Sequence, residues 1–191
     1  MQIVELETPR LRLHLRPVRA EDLEVVAALG ADLRVMDPLG GTMSRKATQV
    51  WLERLIVHWE RHGYGRFLVS LDSAFVGVVG LSRADLDEGI VSGVEIAWRL
   101  EFAYWGHGYA TEAAEASIRD GFERVGLQEI IGFTTPNNGR SRRIMDRLGM
   151  VFSPGETFEH PRVPEGDPRR RHVVYRLTVD RWRTFRPTRP L

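Results

Sequence analysis

Cysteine is absent from this 191-residue chain, and lysine occurs once, as Lys46. Without cysteine, disulfides, thiolate nucleophiles and cysteine-based zinc sites are all excluded. No apolar run approaches the roughly 20 residues that a membrane-spanning helix needs, and the N-terminus lacks a signal-peptide pattern. We therefore expect a cytoplasmic protein that does not bind membranes.

The balance of charged and apolar residues narrows the remaining function classes. The formal net charge is +1, and 42% of the residues are hydrophobic. A charge this close to zero gives no general attraction to nucleic acid, so we expect no nucleic-acid partner. Length and apolar content predict one globular domain, residues 1–180, followed by a basic, frayed tail at residues 181–191.

Hydrophobic periodicity predicts strands and helices that alternate along the chain. Strands are expected at residues 8–16, 66–71, 75–81, 92–100, 128–135, 150–152 and 172–179. Helices are expected at residues 20–30, 44–62, 109–125 and 138–148. Ser44 is expected to cap the second of these helices, and residues 72–73 to form a tight hairpin turn between two of the strands. The remaining segments are predicted as a loop at residues 32–43, an acidic surface turn at residues 85–89 and a long loop at residues 154–171. This order predicts an α/β fold built on a single mixed sheet.

A glycine turn leads directly into one of these helices. Gly106 and Gly108 are followed at once by residues that are apolar at helical spacing, which are Ala110, Ala113, Ala114, Ile118, Phe122 and Val125. A turn at a helix N-terminus exposes unpaired backbone N–H groups and the positive end of the helix dipole. Such a turn can bind a phosphate group without a lysine.

The glycine turn has other interpretations besides phosphate binding. No Gly-Lys-Ser/Thr follows, which excludes a P-loop, and Thr111 stands where a dinucleotide-binding motif has its third glycine. A tight turn without a ligand is the commonest explanation of an isolated Gly-x-Gly. The turn alone therefore does not decide the function.

Two further motifs accompany the glycine turn. A strand at residues 94–100 precedes it, and residues 136–141 (PNNGRS) and 147–150 (RLGM) follow it. This order resembles the GCN5-related N-acetyltransferases (GNAT), and within them the ribosomal-protein and spermidine acetyltransferases of the RimJ/RimL type. The pyrophosphate loop of that family, Gln/Arg-x-x-Gly-x-Gly/Ala, corresponds here to Trp105-x-x-Gly108-x-Ala110, so the first position departs from the pattern. The resemblance covers residues 8–177, nearly the whole chain.

The resemblance implies a mostly antiparallel sheet that splays between its fourth and fifth strands and is flanked by helices. It also implies acetyl-CoA as the cosubstrate and no metal. Pantetheine is expected in the gap, against the backbone of Ile96, Ala97 and Trp98, while Asn138 and Ser141 are expected to reach the pantetheine and the thiol end. The pyrophosphate is expected on a run of consecutive residues, which are Gly106, His107, Gly108, Tyr109, Ala110 and Thr111.

Acetyl transfer to an amine by direct attack needs a base for the amine and an acid for the departing thiolate. Glu95 is the candidate base, acting directly or through water, and His172 and His160 are weaker candidates. The residue types alone favour an outward-facing surface position for Glu95 over a buried one. Many relatives use a tyrosine as the acid four residues before a glycine, where this chain has Met145, so Ser141 is the candidate acid.

A metal site is not expected. His58 and His62 have a spacing that can hold zinc, but Trp59 stands where a metalloprotease motif has glutamate. The alternative function is a CoA-binding module without transferase activity, because Trp105 and Met145 replace polar residues of the family. A protein N-terminus, a polyamine or another small amine would each serve as acceptor, and homodimers occur in the resembling branch.

Overall fold

The computed structural model describes residues 4–84, 91–161 and 163–185. Its eight strands are β1 (Leu6–Glu7), β2 (His14–Pro17), β3 (Arg66–Leu71), β4 (Ala74–Arg83), β5 (Val94–Leu100), β6 (Glu129–Thr134), β7 (Val151–Glu159) and β8 (Arg171–Thr178). Its helices are α1 (Leu23–Ala31), α2 (Leu33–Met36), α3 (Arg45–His62), α4 (Tyr109–Glu123), α5 (Gly139–Arg147) and α6 (Val179–Thr184). Short 3₁₀ turns cover Ala20–Asp22, Asp37–Leu39 and Phe102–Tyr104.

All eight strands form one sheet in the order β1-β2-β3-β4-β5-β6-β8-β7. Every neighbouring pair is antiparallel except β5 and β6, which run parallel. These two strands share a single register pair, Glu95 with Ile131, whereas β4 and β5 share seven. The sheet is therefore open between β5 and β6. This confirms the predicted mixed α/β fold, and the opening lies between the fifth and sixth strands because the count includes the two-residue β1.

The two faces of β5 carry different side chains, because successive strand residues point to opposite faces. Ile96 and Leu100 are buried in the main core, and Trp98 packs against it. Glu95, Ala97 and Arg99 occupy the opposite face. The chemically useful side chains of β5 therefore lie on the face that is turned away from α4.

Helix α4 packs closely on β4 and β5 through its small residues. Ala113, Ala114 and Ile118 are fully buried there. At Gly121 an added Cβ would lie 2.6 Å from Leu81 Cδ1, which is too close for any other residue without repacking. Glycine costs roughly 1 kcal/mol in a helix interior relative to alanine, and here the close approach of helix and sheet offsets that cost.

Local sequence signals for element ends are confirmed. Ser44 Oγ accepts the Ala47 N–H at 3.2 Å and begins α3. Asp72 and Ser73 take φ values of 47° and 69°, which matches a two-residue hairpin turn between β3 and β4. Such signals act over a few residues, so they can be predicted without tertiary context.

Two segments predicted as loops contain regular structure. Residues 32–43 include α2 and the Asp37–Leu39 turn, and residues 151–159 form β7, which pairs with β8 at the sheet edge. Pro154 and Gly155 favour a loop locally, but they fall where the β7–β8 register shifts, and a strand tolerates such residues at an irregularity. The long-loop prediction was therefore wrong for residues 154–159, which continue the strand predicted at residues 150–152.

The chain ends also differ from prediction in part. Of the strand predicted at residues 8–16, only residues 14–16 are extended, as part of β2, whereas residues 9–11 form a turn and β1 lies before the predicted span. The predicted frayed tail begins inside α6, where Trp182 packs 6.0 Å from Phe122, ring centre to ring centre. The acidic turn predicted at residues 85–89 lies outside the described residues. Within those residues no helix has both the length and the apolar character needed to span a bilayer.

Candidate active site

The glycine turn adopts a backbone that other residues rarely adopt. Gly106 has φ 85° and Gly108 has φ 86°, both in the left-handed region. Gly108 is the N-cap of α4, and its carbonyl accepts the Glu112 N–H at 3.0 Å. Because glycine adopts this conformation without steric cost, the chain can reverse direction there and enter the helix.

The start of α4 presents unpaired hydrogen-bond donors. Within the described residues the N–H groups from Gly108 through Thr111 donate to no acceptor, and Gly106 and His107 lie in the turn immediately before them. No side chain caps this end of the helix. Consecutive donors at the positive end of a 15-residue helix make an anion site of the kind that holds a diphosphate.

Trp105, which departs from the family pattern, makes a hydrogen bond and a cation–π contact. Its indole Nε1 donates to the Leu100 carbonyl at 2.9 Å, and the Arg140 guanidinium lies 4.9 Å from the ring centre. Arg140 belongs to the first turn of α5, so this contact brings the starts of α4 and α5 together. A cation thus stands beside the turn although the sequence has no basic residue at the family position.

The first turn of α5 contains Asn138 and Ser141. Asn138 Oδ1 accepts the Ser141 N–H at 3.2 Å, so the amide oxygen serves as the helix cap. The Ser141 hydroxyl makes no hydrogen bond within the part of the chain that the structure describes. Met145, at the family's tyrosine position, is buried against Gly132 of β6. Ser141 is therefore the hydroxyl that α5 can offer as an acid.

The open edge of β5 presents backbone groups toward the gap. Glu101 N–H donates to the Val76 carbonyl at 3.0 Å, just beyond the strand end. Because hydrogen-bonded pairs alternate along antiparallel strands, Ala97 exchanges its bonds with β4. Ile96 and Trp98 then direct their N–H and C=O groups toward β6. Of the three predicted pantetheine contacts, these two have the required orientation.

Glu95 lies in an ion pair on the open face of β5. Its Oε2 is 3.3 Å from Arg66 Nη2, and its side chain is 15% exposed. Arg66 also donates to Ser82 Oγ at 3.0 Å, which fixes the guanidinium against the sheet. The preference for a freely exposed surface position was therefore wrong. The carboxylate is held at the level of the single β5–β6 register pair, where the sheet opens.

The histidines divide into two groups with different surroundings. His172 lies 4.9 Å from His160, ring centre to ring centre, beside Phe133 and Phe158. Burial lowers the pKa of His172, so its ring is neutral near pH 7. This aromatic group shares a sheet face with Glu95, because Phe133 follows Ile131 at the strand period of two.

His58, by contrast, uses both ring nitrogens. Nδ1 donates to the Tyr64 carbonyl at 2.9 Å, and Nε2 accepts the Arg83 N–H at 3.1 Å. A nitrogen that accepts a hydrogen bond cannot also bind a metal ion, so the pair with His62 is structural. Across residues 4–84, 91–161 and 163–185, no three potential ligands form a metal cluster.

Arg99 is a charged residue on the same face of β5 as Glu95, and the sequence analysis did not single it out. Its guanidinium stacks 4.5 Å from the Trp51 ring centre, and Nη1 lies 3.5 Å from Met43 Sδ. Nε is buried without a hydrogen-bond acceptor. Burial, and secondarily the charge of Arg66, lower the pKa of Arg99 to about 10. The sequence pattern of β5 does not reveal that Arg99 is shielded from solvent, because Trp51 of α3, far away in the chain, stacks on it.

Comparison with known proteins decides the family. The acetyltransferase (GNAT) domain family matches residues 12–151. The chain belongs to the GNAT acetyltransferase family. The predicted family is thus confirmed, and this GNAT chain is an N-acetyltransferase that uses acetyl-CoA.

Individual relatives of this GNAT enzyme cover most of its length. It is 30% identical to the FsC-acetyl coenzyme A-N(2)-transacetylase of Aspergillus fumigatus, over 90% of this chain and 75% of that protein. A solved acetyltransferase from Agrobacterium tumefaciens is 26% identical, with a TM-score of 0.73 over 93% of this chain and 95% of the other. Mycobacterium smegmatis RimJ, solved in complex with CoA-disulfide, has a TM-score of 0.72 at 22% identity, over 93% and 87% of the two chains. This last similarity shows the fold.

Proposed function

We propose that this GNAT enzyme moves the acetyl group of acetyl-CoA directly to the primary amine of a second substrate, with both substrates bound together. The acceptor would be a protein N-terminus, a polyamine or another small amine. The observation that carries the coenzyme half of the proposal is the run of unpaired N–H groups from Gly108 to Thr111. Together with Gly106 and His107, these residues would hold the pyrophosphate.

The pantetheine arm would lie in the gap between β5 and β6. Ile96 and Trp98 supply outward-facing backbone groups there, and a backbone N–H of this strand is suited to stabilise the oxyanion. Asn138 and Ser141, at the start of α5, would reach the pantetheine and the thiol end. Arg140, stacked on Trp105, would add the positive charge that the family loop carries in its own sequence.

Transfer then needs one bond made and one broken. The neutral amine attacks the thioester carbon, the C–N bond forms and the C–S bond breaks. Glu95, directly or through water, would take the proton that the amine loses, and Ser141 would give a proton to the thiolate. Holding the amine and the thioester together contributes several kcal/mol to the barrier reduction. No covalent enzyme intermediate is required, which agrees with the absence of cysteine.

The test of the coenzyme site compares two glycine variants. Gly106 and Gly126 have left-handed φ values of 85° and 79°, and an added Cβ meets nothing within 4 Å at either position. Gly106→Ala and Gly126→Ala therefore impose similar backbone strain, roughly 1–2 kcal/mol, but only Gly106 lies in the turn. We expect acetyl-CoA affinity, measured by calorimetry, to fall at least tenfold in Gly106→Ala and to stay unchanged in Gly126→Ala. Equal affinities in the two variants would refute the pyrophosphate site.

A second measurement separates the enzyme from a CoA-binding module. Thiol release from acetyl-CoA is followed with polyamines, amino acids and peptide N-termini as acceptors. Turnover with any of these amines supports transfer. Tight coenzyme binding without turnover on the whole panel would favour the binding module, which the buried Met145 at the expected acid position motivates.

A further inference from the structure

The guanidinium of Arg99 has no acidic partner in the described part of the chain. Its Nε is buried without an acceptor, its Nη1 faces the Met43 sulfur, and Arg66 is the charged group acting on it. The rest of the side chain is only partly accessible to solvent, and a largely desolvated cation without a counter-ion is costly, because such charges in proteins are normally paired. An anion that reached the Arg99 guanidinium would therefore supply a charge partner that the described residues do not provide.

Arg99 lies on the acceptor side of the sheet. It shares a face of β5 with Glu95 and Ala97, opposite the face on which α4 packs and one residue beyond Trp98. Two strand residues span about 7 Å, so the base of the Arg99 side chain lies within about 7 Å of Ala97 along the strand. The coenzyme pyrophosphate would lie at the start of α4, on the other face. The charge of Arg99 is thus placed for the acceptor.

The surroundings of Arg99 favour an anion with planar oxygens. Trp51 stacks on the guanidinium and fixes its plane, and the edge of a fixed guanidinium can hold a carboxylate with two parallel hydrogen bonds. Trp51 and Met43 also border a surface depression whose charged lining residues are basic, Lys46 and Arg54. Among the residues that line it, no carboxylate competes for the same cations.

We propose that Arg99 binds a carboxylate of the acceptor, so that the acceptor is an amino acid or a similarly small amine with a carboxylate a few bonds from the reacting nitrogen. This assignment rests on the proposed acetyl transfer and selects among its acceptor classes. A polyamine carries only positive charge, and Arg99, Lys46 and Arg54 would repel it.

The test measures transfer to matched acceptors that differ only in the carboxylate. Each α-amino acid is compared with its amide, using wild type, Arg99→Met, Arg99→Lys and the exposed control Arg119→Met. We expect wild type and the control to favour the acid by at least tenfold in kcat/KM, through KM. We expect Arg99→Met to bring the ratio to within about twofold, Arg99→Lys to restore part of it, and the acetyl-CoA affinity to stay unchanged.

Three results would overturn the assignment. The first is a wild type that uses amides or polyamines as well as acids. The second is an Arg99→Met variant that loses activity equally on both acceptor types, which would indicate a structural role. The third is a loss of acetyl-CoA affinity in that variant, which would move Arg99 to the coenzyme site.

A binding measurement keeps the test independent of turnover. N-acetyl amino acids and their amides are titrated by calorimetry into the CoA-saturated protein. Preferential binding of the acids that disappears in Arg99→Met supports the carboxylate site even if no acceptor is turned over. Equal binding of acids and amides refutes the carboxylate site without touching the proposal for the coenzyme.

Discussion

Replacing Arg99 by methionine should make the protein more stable while it impairs the proposed acceptor site. The pKa of Arg99 falls from 12.5 to about 10 on burial. Since one pKa unit corresponds to about 1.4 kcal/mol, the charged form is destabilised by about 3 kcal/mol in the folded protein. Stacking on Trp51 returns roughly 1 kcal/mol. Methionine has a similar length and no charge, so we expect Arg99→Met to raise the free energy of unfolding by about 1–2 kcal/mol.

The pH dependence of this gain follows from the direction of the pKa shift. The folded protein binds the Arg99 proton less tightly than the unfolded chain does, because the folded pKa is the lower one. The cost of the charge is therefore fully present below about pH 10 and shrinks only above it. The stability difference between wild type and Arg99→Met should be the same at pH 6 and pH 9, within about 0.5 kcal/mol.

Urea denaturation at the two pH values, followed by tryptophan fluorescence, measures the change, and a thermal melt should show a rise of about 2–6 °C. Arg119→Met is the matched control, because Arg119 is exposed on α4 and its ion pair among the described residues is with Glu115, one turn earlier. That variant should change stability by less than about 0.5 kcal/mol. A destabilised Arg99→Met protein would refute the reasoning, because it would show that the cation has a stabilising partner.

Three other perturbations test separate parts of the structure. Glu112 is buried, and its carboxylate accepts the backbone N–H groups of Arg10 at 3.1 Å and Leu11 at 2.8 Å. The free energy of unfolding, measured by urea denaturation, should therefore fall by about 3 kcal/mol in Glu112→Ala and by about 1 kcal/mol in Glu112→Gln. A cost below about 1 kcal/mol for the alanine variant would contradict this. Burial lowers the pKa of His172, so the folded protein is favoured most above about pH 6.5 and loses stability as the pH drops below that value. His172→Phe should therefore flatten the plot of unfolding free energy against pH between about pH 7 and 5. An unchanged slope in the variant would count against this prediction. Glu95→Gln should remove the acidic limb of the pH profile of kcat/KM, because the proposed base would no longer titrate. Ser141→Ala should lower kcat with little change in KM. Identical effects of the two variants would disprove separate base and acid roles.

Local interactions could be predicted because they depend on a few adjacent residues. The glycine turn before α4, the cap at Ser44 and the turn at residues 72–73 were all predicted, and each is set by backbone geometry that only certain residues favour. The family resemblance added the mostly antiparallel sheet and its opening beside β5. The start of β7 was predicted, but its continuation to Glu159 was missed because its pairing with β8 depends on residues 12 to 25 positions away, which local propensity does not report.

The sequence by itself determined the family, the mixed sheet and the helix start that is suited to a diphosphate. Tertiary structure decided which charges act at the site. Arg140 reaches the glycine turn only because α5 packs beside α4, and Arg66 meets Glu95 only across three paired strands. Arg99 becomes a desolvated cation only because Trp51 of α3 covers it. Electrostatic energy depends on distance and burial, and both are fixed by packing between segments that are far apart in the chain.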